Sequence, residues 1–189
     1  QLEWMARQIR LVLESHKDYG KRTLCILDVG GGKGDLANFV ASLLGEDKVR
    51  VHVMDIARNA INNGAMRAKR KYLSVEYSVA DASTVVFEAD QVDVVVALHA
   101  CGTLSDVALG HAASCGAGFV VCPCCFKSNP HLRIRDATNN KMVLADKWLD
   151  IPPATYEALK ILSEVQGDVS LANEAVHTLC ALRISAFLR

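Results

Sequence analysis

Three aspartates stand at or near the ends of apolar stretches: Asp28 in ILDV, Asp55 in VHVMD and Asp81 in YSVAD. Between the first two lies DVGGGKGDLA, a glycine loop that runs into a helix. Such loops let a backbone approach a polar ligand closely, because glycine has no Cβ and takes left-handed turns readily. The neighbouring residues limit which ligand fits. A phosphate-cradling G-x-x-x-x-G-K-[ST] loop is excluded, since Lys33 is followed by Gly34 and the magnesium-binding hydroxyl is missing. The dinucleotide pattern G-x-G-x-x-G is met by Gly30 and Gly32 but has Asp35 at its third glycine. A carboxylate there would repel a pyrophosphate at the helix start, which weakens that reading without removing it.

The remaining pattern is acid-x-G-x-G-x-G, made by Asp28, Gly30, Gly32 and Gly34. It suits a ligand without phosphate, and S-adenosylmethionine is one: a zwitterionic methionine end, a ribose, an adenine and a cationic sulfur. Asp28 would attract the ammonium group, directly or through water. Asp55, 21 residues past Gly34, would accept from both ribose hydroxyls, since a carboxylate offers two acceptor oxygens. Asp81 would accept from the adenine amino group. Ile56 and Ala82, the residues that follow these acids, complete the expected binding set together with His99. Each aspartate could instead simply cap a helix or turn.

A second group of reactive side chains lies further on: His99 and Cys101 in ALHACG, then Cys124 and Cys125 in CPCCF. Methyl transfer to a hydroxyl or amine can use a base, and His99 is the candidate; it could equally orient the adjoining loop. The [DN]-P-P-[YF] signature of exocyclic-amine methylation is absent from this place. A cysteine pair, Cys101 with Cys124 or Cys125, could attack a cytosine ring covalently, but the flanking residues do not match that chemistry. The C-x-C-C spacing of Cys122, Cys124 and Cys125 is not a usual zinc knuckle, even with Cys101 or His99 added, so no metal is expected and a tight turn around Pro123 is favoured.

These residues need a scaffold. Alternating or continuous apolar runs predict strands at 23–29, 48–55, 73–81, 92–100 and 117–124. Helical spacing predicts helices at 2–15, 35–45, 57–72 and 104–116. Strand–helix repetition implies parallel pairing and right-handed crossovers, hence a doubly wound α/β sheet whose ligands sit at the carboxyl ends of its strands. Residues 127–148 read as a loop-rich segment. Pro153 opens a helix expected to run to Gly167, and Leu171, Ala175, Leu179, Leu182 and Ala186 predict one helix over 170–188.

The 189 residues suit a single domain: an N-terminal helix in 1–20, a cofactor-binding core in 21–126 and a substrate-side loop with C-terminal helices in 127–189. Lys+Arg and Asp+Glu are balanced at 21 each, so overall charge argues neither for nor against nucleic acid. Local basic clusters could contact RNA: Arg67, Lys69, Arg70 and Lys71, and, closer to the expected site, Lys127, His131, Arg133 and Arg135. Seven cysteines, several in expected strands, point to an intracellular, reducing compartment. No apolar run reaches membrane-spanning length, and no signal peptide is evident. Oligomeric state is not indicated. The missing initiator methionine suggests a truncated chain.

With LDVGGGKGDLA, VMD, ALHACGTLSD and CPCCF together, the chain resembles class I S-adenosylmethionine-dependent methyltransferase domains. The nearest resemblance is to the group of methyltransferase-like proteins and the glutathione S-transferase C-terminal-domain-containing protein. The residues carrying it are Gly32-Lys33-Gly34, His99-Ala100-Cys101-Gly102 and Pro123-Cys124-Cys125-Phe126. It covers residues 1–126 best. It implies a Rossmann-like fold, S-adenosylmethionine as cofactor, and RNA or a ribonucleoprotein as partner. A catalytically silent scaffold subunit of a ribonucleoprotein is the alternative, and an NAD(P)-dependent oxidoreductase a weaker one. The antiparallel strand pair that closes the family fold is not found after the last helix, so it is expected to be absent.

Overall fold

The computed structural model describes residues 1–71 and 73–189. Five strands form one parallel sheet in the order β3-β2-β1-β4-β5: β1 (Leu24–Val29), β2 (Val49–Asp55), β3 (Val75–Val79), β4 (Val94–Leu98) and β5 (Gly118–Cys122). The order reverses between β1 and β4, where a doubly wound sheet opens a crevice at its carboxyl edge. This is the expected Rossmann-like fold.

Strand alternation builds two cores. Leu24, Ile26, Val51, Val53, Val94, Val96 and Val120 face one side, under α1 (Leu2–Glu14), α2 (Asp35–Leu44) and α3 (Arg58–Arg70). Leu27, Val29, Met54, Val95 and Ala97 face the other, under α4 (Thr103–Cys115) and the chain that follows β5. Both faces are covered, which explains the nearly unbroken apolar run of β4. α3 was expected to extend to Tyr72, which lies outside the described residues. Among the described residues, no helix is long and apolar enough to cross a membrane.

The segment expected to be loop-rich is more ordered than the sequence suggested. It holds an antiparallel hairpin, β6 (Arg133–Asp136) and β7 (Lys141–Leu144), then a short helix, α5 (Ala145–Leu149). Asp136 organises the turn: its Oδ1 accepts from the Thr138 N–H at 2.9 Å and its Oδ2 from Asn139 Nδ2 at 2.7 Å. The hairpin is a sheet of its own, packed on α4 through the fully buried Ile134. This antiparallel pair was not anticipated from the sequence, and it is not the closing pair of the family fold. It precedes the last helices and does not extend the parallel sheet.

α6 (Pro153–Leu162) starts at Pro153 as expected and ends before Gly167. α7 (Val169–Phe187) is the single helix that the apolar spacing predicts. It packs on α4, α5 and α6, and touches the sheet through Phe187 against Phe119 of β5, ring centroids 4.6 Å apart.

Candidate cofactor cleft and thiol cluster

Asp28 ends on the α1–α3 side of β1, 1% exposed, and neither carboxylate oxygen has a hydrogen-bond partner among the described residues. Burial, with the negative charge of Asp55 nearby, pushes its pKa up to about 7. The carboxylate lies directly beneath Gly31: a Cβ there would stand 2.4 Å from Asp28 Oδ2 and 2.9 Å from Val53 Cγ1. Gly31 is thus as necessary as the three glycines singled out from the sequence. The signal for it was the unbroken run Gly30-Gly31-Gly32.

The loop above Asp28 is fixed from several sides. Gly30, Gly32 and Gly34 all have left-handed φ, at 69°, 56° and 69°. The Gly30 N–H donates to the Met54 carbonyl at 2.8 Å. The Gly32 N–H donates to Asp55 Oδ2 at 2.9 Å, while Asp55 Oδ1 accepts from the Ala57 N–H at 2.7 Å. Asp55 therefore ties the loop to the end of β2, and each of its oxygens keeps acceptor capacity for a ligand. Asp35 is turned away and paired with Arg67 Nη2 at 2.6 Å.

A cleft with about 470 Å³ of empty space opens over this loop. Gly30, Asp55, Ile56, Asp81 and Ala82 line it, together with Met54, Ala80, Leu104, Asn129 and Leu132, none of which the sequence reading identified. Ile56 is 72% exposed, unusual for an isoleucine and suited to covering a flat ring. Asp81 Oδ1 accepts from the Ser83 N–H and hydroxyl, at 2.9 and 2.7 Å. Among the described residues, the wall carries two carboxylates and neither lysine nor arginine. Asp28 sits behind the wall, under Gly31. The shape and charge fit a phosphate-free nucleoside with a cationic end, and oppose a pyrophosphate.

His99 and the three cysteines are gathered beside this cleft without lining it. His99 follows β4, is exposed, and holds φ 61°, an uncommon value for a residue other than glycine. Its Nε2 is 3.1 Å from Gln1 Oε1. Cys101 Sγ lies 2.7 Å from Cys124 Sγ, and Cys125 Sγ lies 3.4 Å from Ser128 Oγ. Cys122 is apart from them, in β5 against the α1–α3 core. All seven cysteines are free.

The two basic clusters differ in position more than in availability. In the first, Arg67 is engaged by Asp35 and by the Lys33 carbonyl, while Lys69, Arg70 and Lys71 are exposed. In the second, Lys127, His131 and Arg133 are exposed on the segment that also supplies Asn129 and Leu132 to the cleft, with Lys127 Nζ 3.4 Å from Glu164 Oε2. Arg135 does not join them: its Nε is buried and Nη1 donates to Asn140 at 2.5 Å across the hairpin.

Residues 1–129 match the model of a family described as a methyltransferase domain. No curated protein matches the sequence. Among solved structures, the CurJ carbon methyltransferase is similar at 20% identity over 64% of this chain and 34% of that one, TM-score 0.49. The S-adenosylmethionine-dependent methyltransferase SibL is similar at 24% identity over 61% and 35%, TM-score 0.45. Magnesium protoporphyrin IX methyltransferase of Synechocystis PCC 6803, with bound S-adenosylhomocysteine, is similar at 17% identity over 61% and 54%, TM-score 0.44. The chain spans less than two thirds of the length of each.

Proposed function

We propose, from the premise that the chain belongs to the methyltransferase-domain family, that it is an S-adenosylmethionine-dependent methyltransferase acting on RNA. The observation that carries the cofactor is the grouping of Asp28, Asp55 and Asp81 around one glycine loop at the ends of β1, β2 and the β3 segment.

S-adenosylmethionine, when bound, supplies an electrophilic methyl group on a cationic sulfur. The protein's part is to hold and orient. The Gly30–Gly34 backbone would take the methionine end, and buried Asp28 beneath it, ionised as an ammonium group approaches, would supply the negative charge that favours that group. Asp55 accepts from the ribose hydroxyls while still holding Gly32. Ile56 covers the base, and the Asp81–Ala82 turn faces its edge. The loops after β4 and β5, with His99, Cys101, Cys124 and Cys125, form the acceptor side. His99 Nε2 accepts or steers a proton there once it leaves Gln1.

RNA as acceptor rests on the resemblance of the motifs and on the exposed Lys127, His131 and Arg133 beside the cleft: the lysine and arginine suit a phosphate backbone, and the histidine adds a hydrogen-bonding group. Two measurements test this reading. Calorimetry with S-adenosylhomocysteine, NAD and NADP is expected to show binding of the first alone; binding of NAD alone would reject it in favour of an oxidoreductase. Transfer of labelled methyl groups is then expected to total RNA and not to protein. Cofactor binding without transfer to any RNA would favour the scaffold alternative.

A further inference from the structure

Three thiols converge at the carboxyl ends of β4 and β5. The Sγ atoms of Cys101, Cys124 and Cys125 all lie within 4.8 Å of one another. They come from two loops that the backbone locks together. The Gly102 N–H donates to the Cys125 carbonyl at 2.9 Å, and the Thr103 N–H to the Ser128 carbonyl at 3.3 Å. Asn129 Nδ2 donates to the Cys101 carbonyl at 3.1 Å. Gly102 has φ 57°, and a Cβ on it would lie 1.6 Å from the Ser128 carbonyl oxygen, so the two strands of chain touch as closely as they can. Beyond the cysteines, Glu164 Oε1 accepts from the N–H groups of Phe126 and Lys127, at 2.8 and 2.9 Å. The meeting of the sulfurs is thus fixed by backbone contacts on both sides.

We propose that Cys101, Cys124 and Cys125 form a three-thiolate site for a soft divalent cation, zinc. Zinc–sulfur bonds of about 2.3 Å in tetrahedral geometry place sulfurs ~3.8 Å apart; all three lie within 4.8 Å of one another, and the Cys101–Cys124 pair, at 2.7 Å, opens by about 1 Å to admit the ion. Each thiol releases its proton to solvent as the metal binds. Thiolates select soft ions and reject magnesium or calcium. Cys124 is exposed, which leaves the fourth position open to water or to an exchangeable ligand. The C-x-C-C spacing argued against a metal even with Cys101 added; what changes the reading is the observed convergence of Cys101 with Cys124 and Cys125 from two loops. Cys122 and His99, the other ligands weighed from the sequence, are not in the cluster. Bound zinc would clip the β4 and β5 loops together next to Leu104 and Asn129 of the cleft wall. The site stands independently of the methyl-transfer reading.

The test uses the whole chain, reduced and stripped with a chelator, then titrated anaerobically with cobalt(II) and back-titrated with zinc. One equivalent of cobalt is expected to give a near-ultraviolet thiolate charge-transfer band that zinc abolishes. Cys101→Ser, Cys124→Ser and Cys125→Ser should each weaken zinc binding at least about tenfold, while Cys25→Ser and Cys180→Ser leave it unchanged. In the unmutated protein, zinc should slow alkylation of Cys101, Cys124 and Cys125 but not of Cys180, a readout that needs no variant to fold. Absence of the band from the fully reduced, folded protein would overturn the site. So would equal alkylation of the three thiols with and without zinc.

Discussion

Arg183 of α7 grips Asp106 of α4 in a buried two-point pair, Nε donating to Oδ1 at 2.5 Å and Nη2 to Oδ2 at 3.0 Å. Nη2 also reaches the Gly102 carbonyl at 3.3 Å, and the guanidinium lies 5.0 Å from the centroid of the Phe126 ring. One side chain of α7 therefore braces the loops after β4 and β5. Arg183→Ala leaves Asp106 buried and unpaired, and is expected to cost about 3–5 kcal/mol in chemical denaturation. An Arg183→Met, Asp106→Leu double variant should recover most of that loss. A cost below about 1 kcal/mol for the single variant would show that the pair is not needed.

Asp28 gives a pH dependence of defined sign. Its folded pKa, about 7, lies above the ordinary 3.8. Between those values the folded chain holds a proton that the unfolded chain has lost, so this group makes stability fall as pH rises through the window. The full cost of ionising it above the window is on the order of 4 kcal/mol. Asp28→Asn should match the unmutated protein at pH 4 and exceed it at pH 8 in urea melts, while losing cofactor affinity. A stability difference that does not grow with pH would count against the burial argument.

Asp55→Ala should weaken S-adenosylhomocysteine binding by about 1.5–3 kcal/mol, the range for a lost charge-assisted hydrogen bond. Asp35→Ala should weaken it far less, because Asp35 is spent on Arg67 outside the cleft. Calorimetric titration of both variants reads the difference. Equal affinity of Asp55→Ala and the unmutated chain would remove the ribose assignment.

Gly31→Ala places a methyl group against Asp28 and Val53 and should cost about 1–3 kcal/mol by overpacking, with loss of cofactor binding. Gly116→Ala is the control. Its φ of 64° strains any side chain, but among the described residues nothing lies within 4 Å of an added Cβ, so it should lose stability and keep affinity. Thermal melts with and without ligand separate the two effects.

The cysteines should border the acceptor pocket without attacking the substrate. Cys124→Ala, Cys125→Ala and Cys101→Ala are each expected to retain measurable methylation of total RNA. Complete loss of turnover in one variant that still binds cofactor, with a denaturation-resistant RNA adduct on the unmutated protein, would establish a covalent cysteine mechanism instead.

The sequence by itself determined the parallel sheet, its flanking helices and the glycine loop with its three acids. These rest on local signals: apolar period, turn residues and strand-end position. The α7 helix was legible for the same reason, since Ala175, Leu179 and Ala186 recur at helical spacing and are buried. Tertiary structure decided what depends on contacts between distant segments. Gly31 is required only because Asp28 folds beneath it. Arg183 lies on a buried face only because Asp106 waits 77 residues earlier. Leu104, Asn129 and Leu132 reach the cleft because the loops after β4 and β5 cross there. The β6–β7 hairpin escaped notice because its strands have four residues each and one fully buried apolar anchor, Ile134, whose partner surface is α4. Cys101 meets Cys124 for the same physical reason: parallel neighbours β4 and β5 end side by side, a proximity that spacing along the chain does not encode.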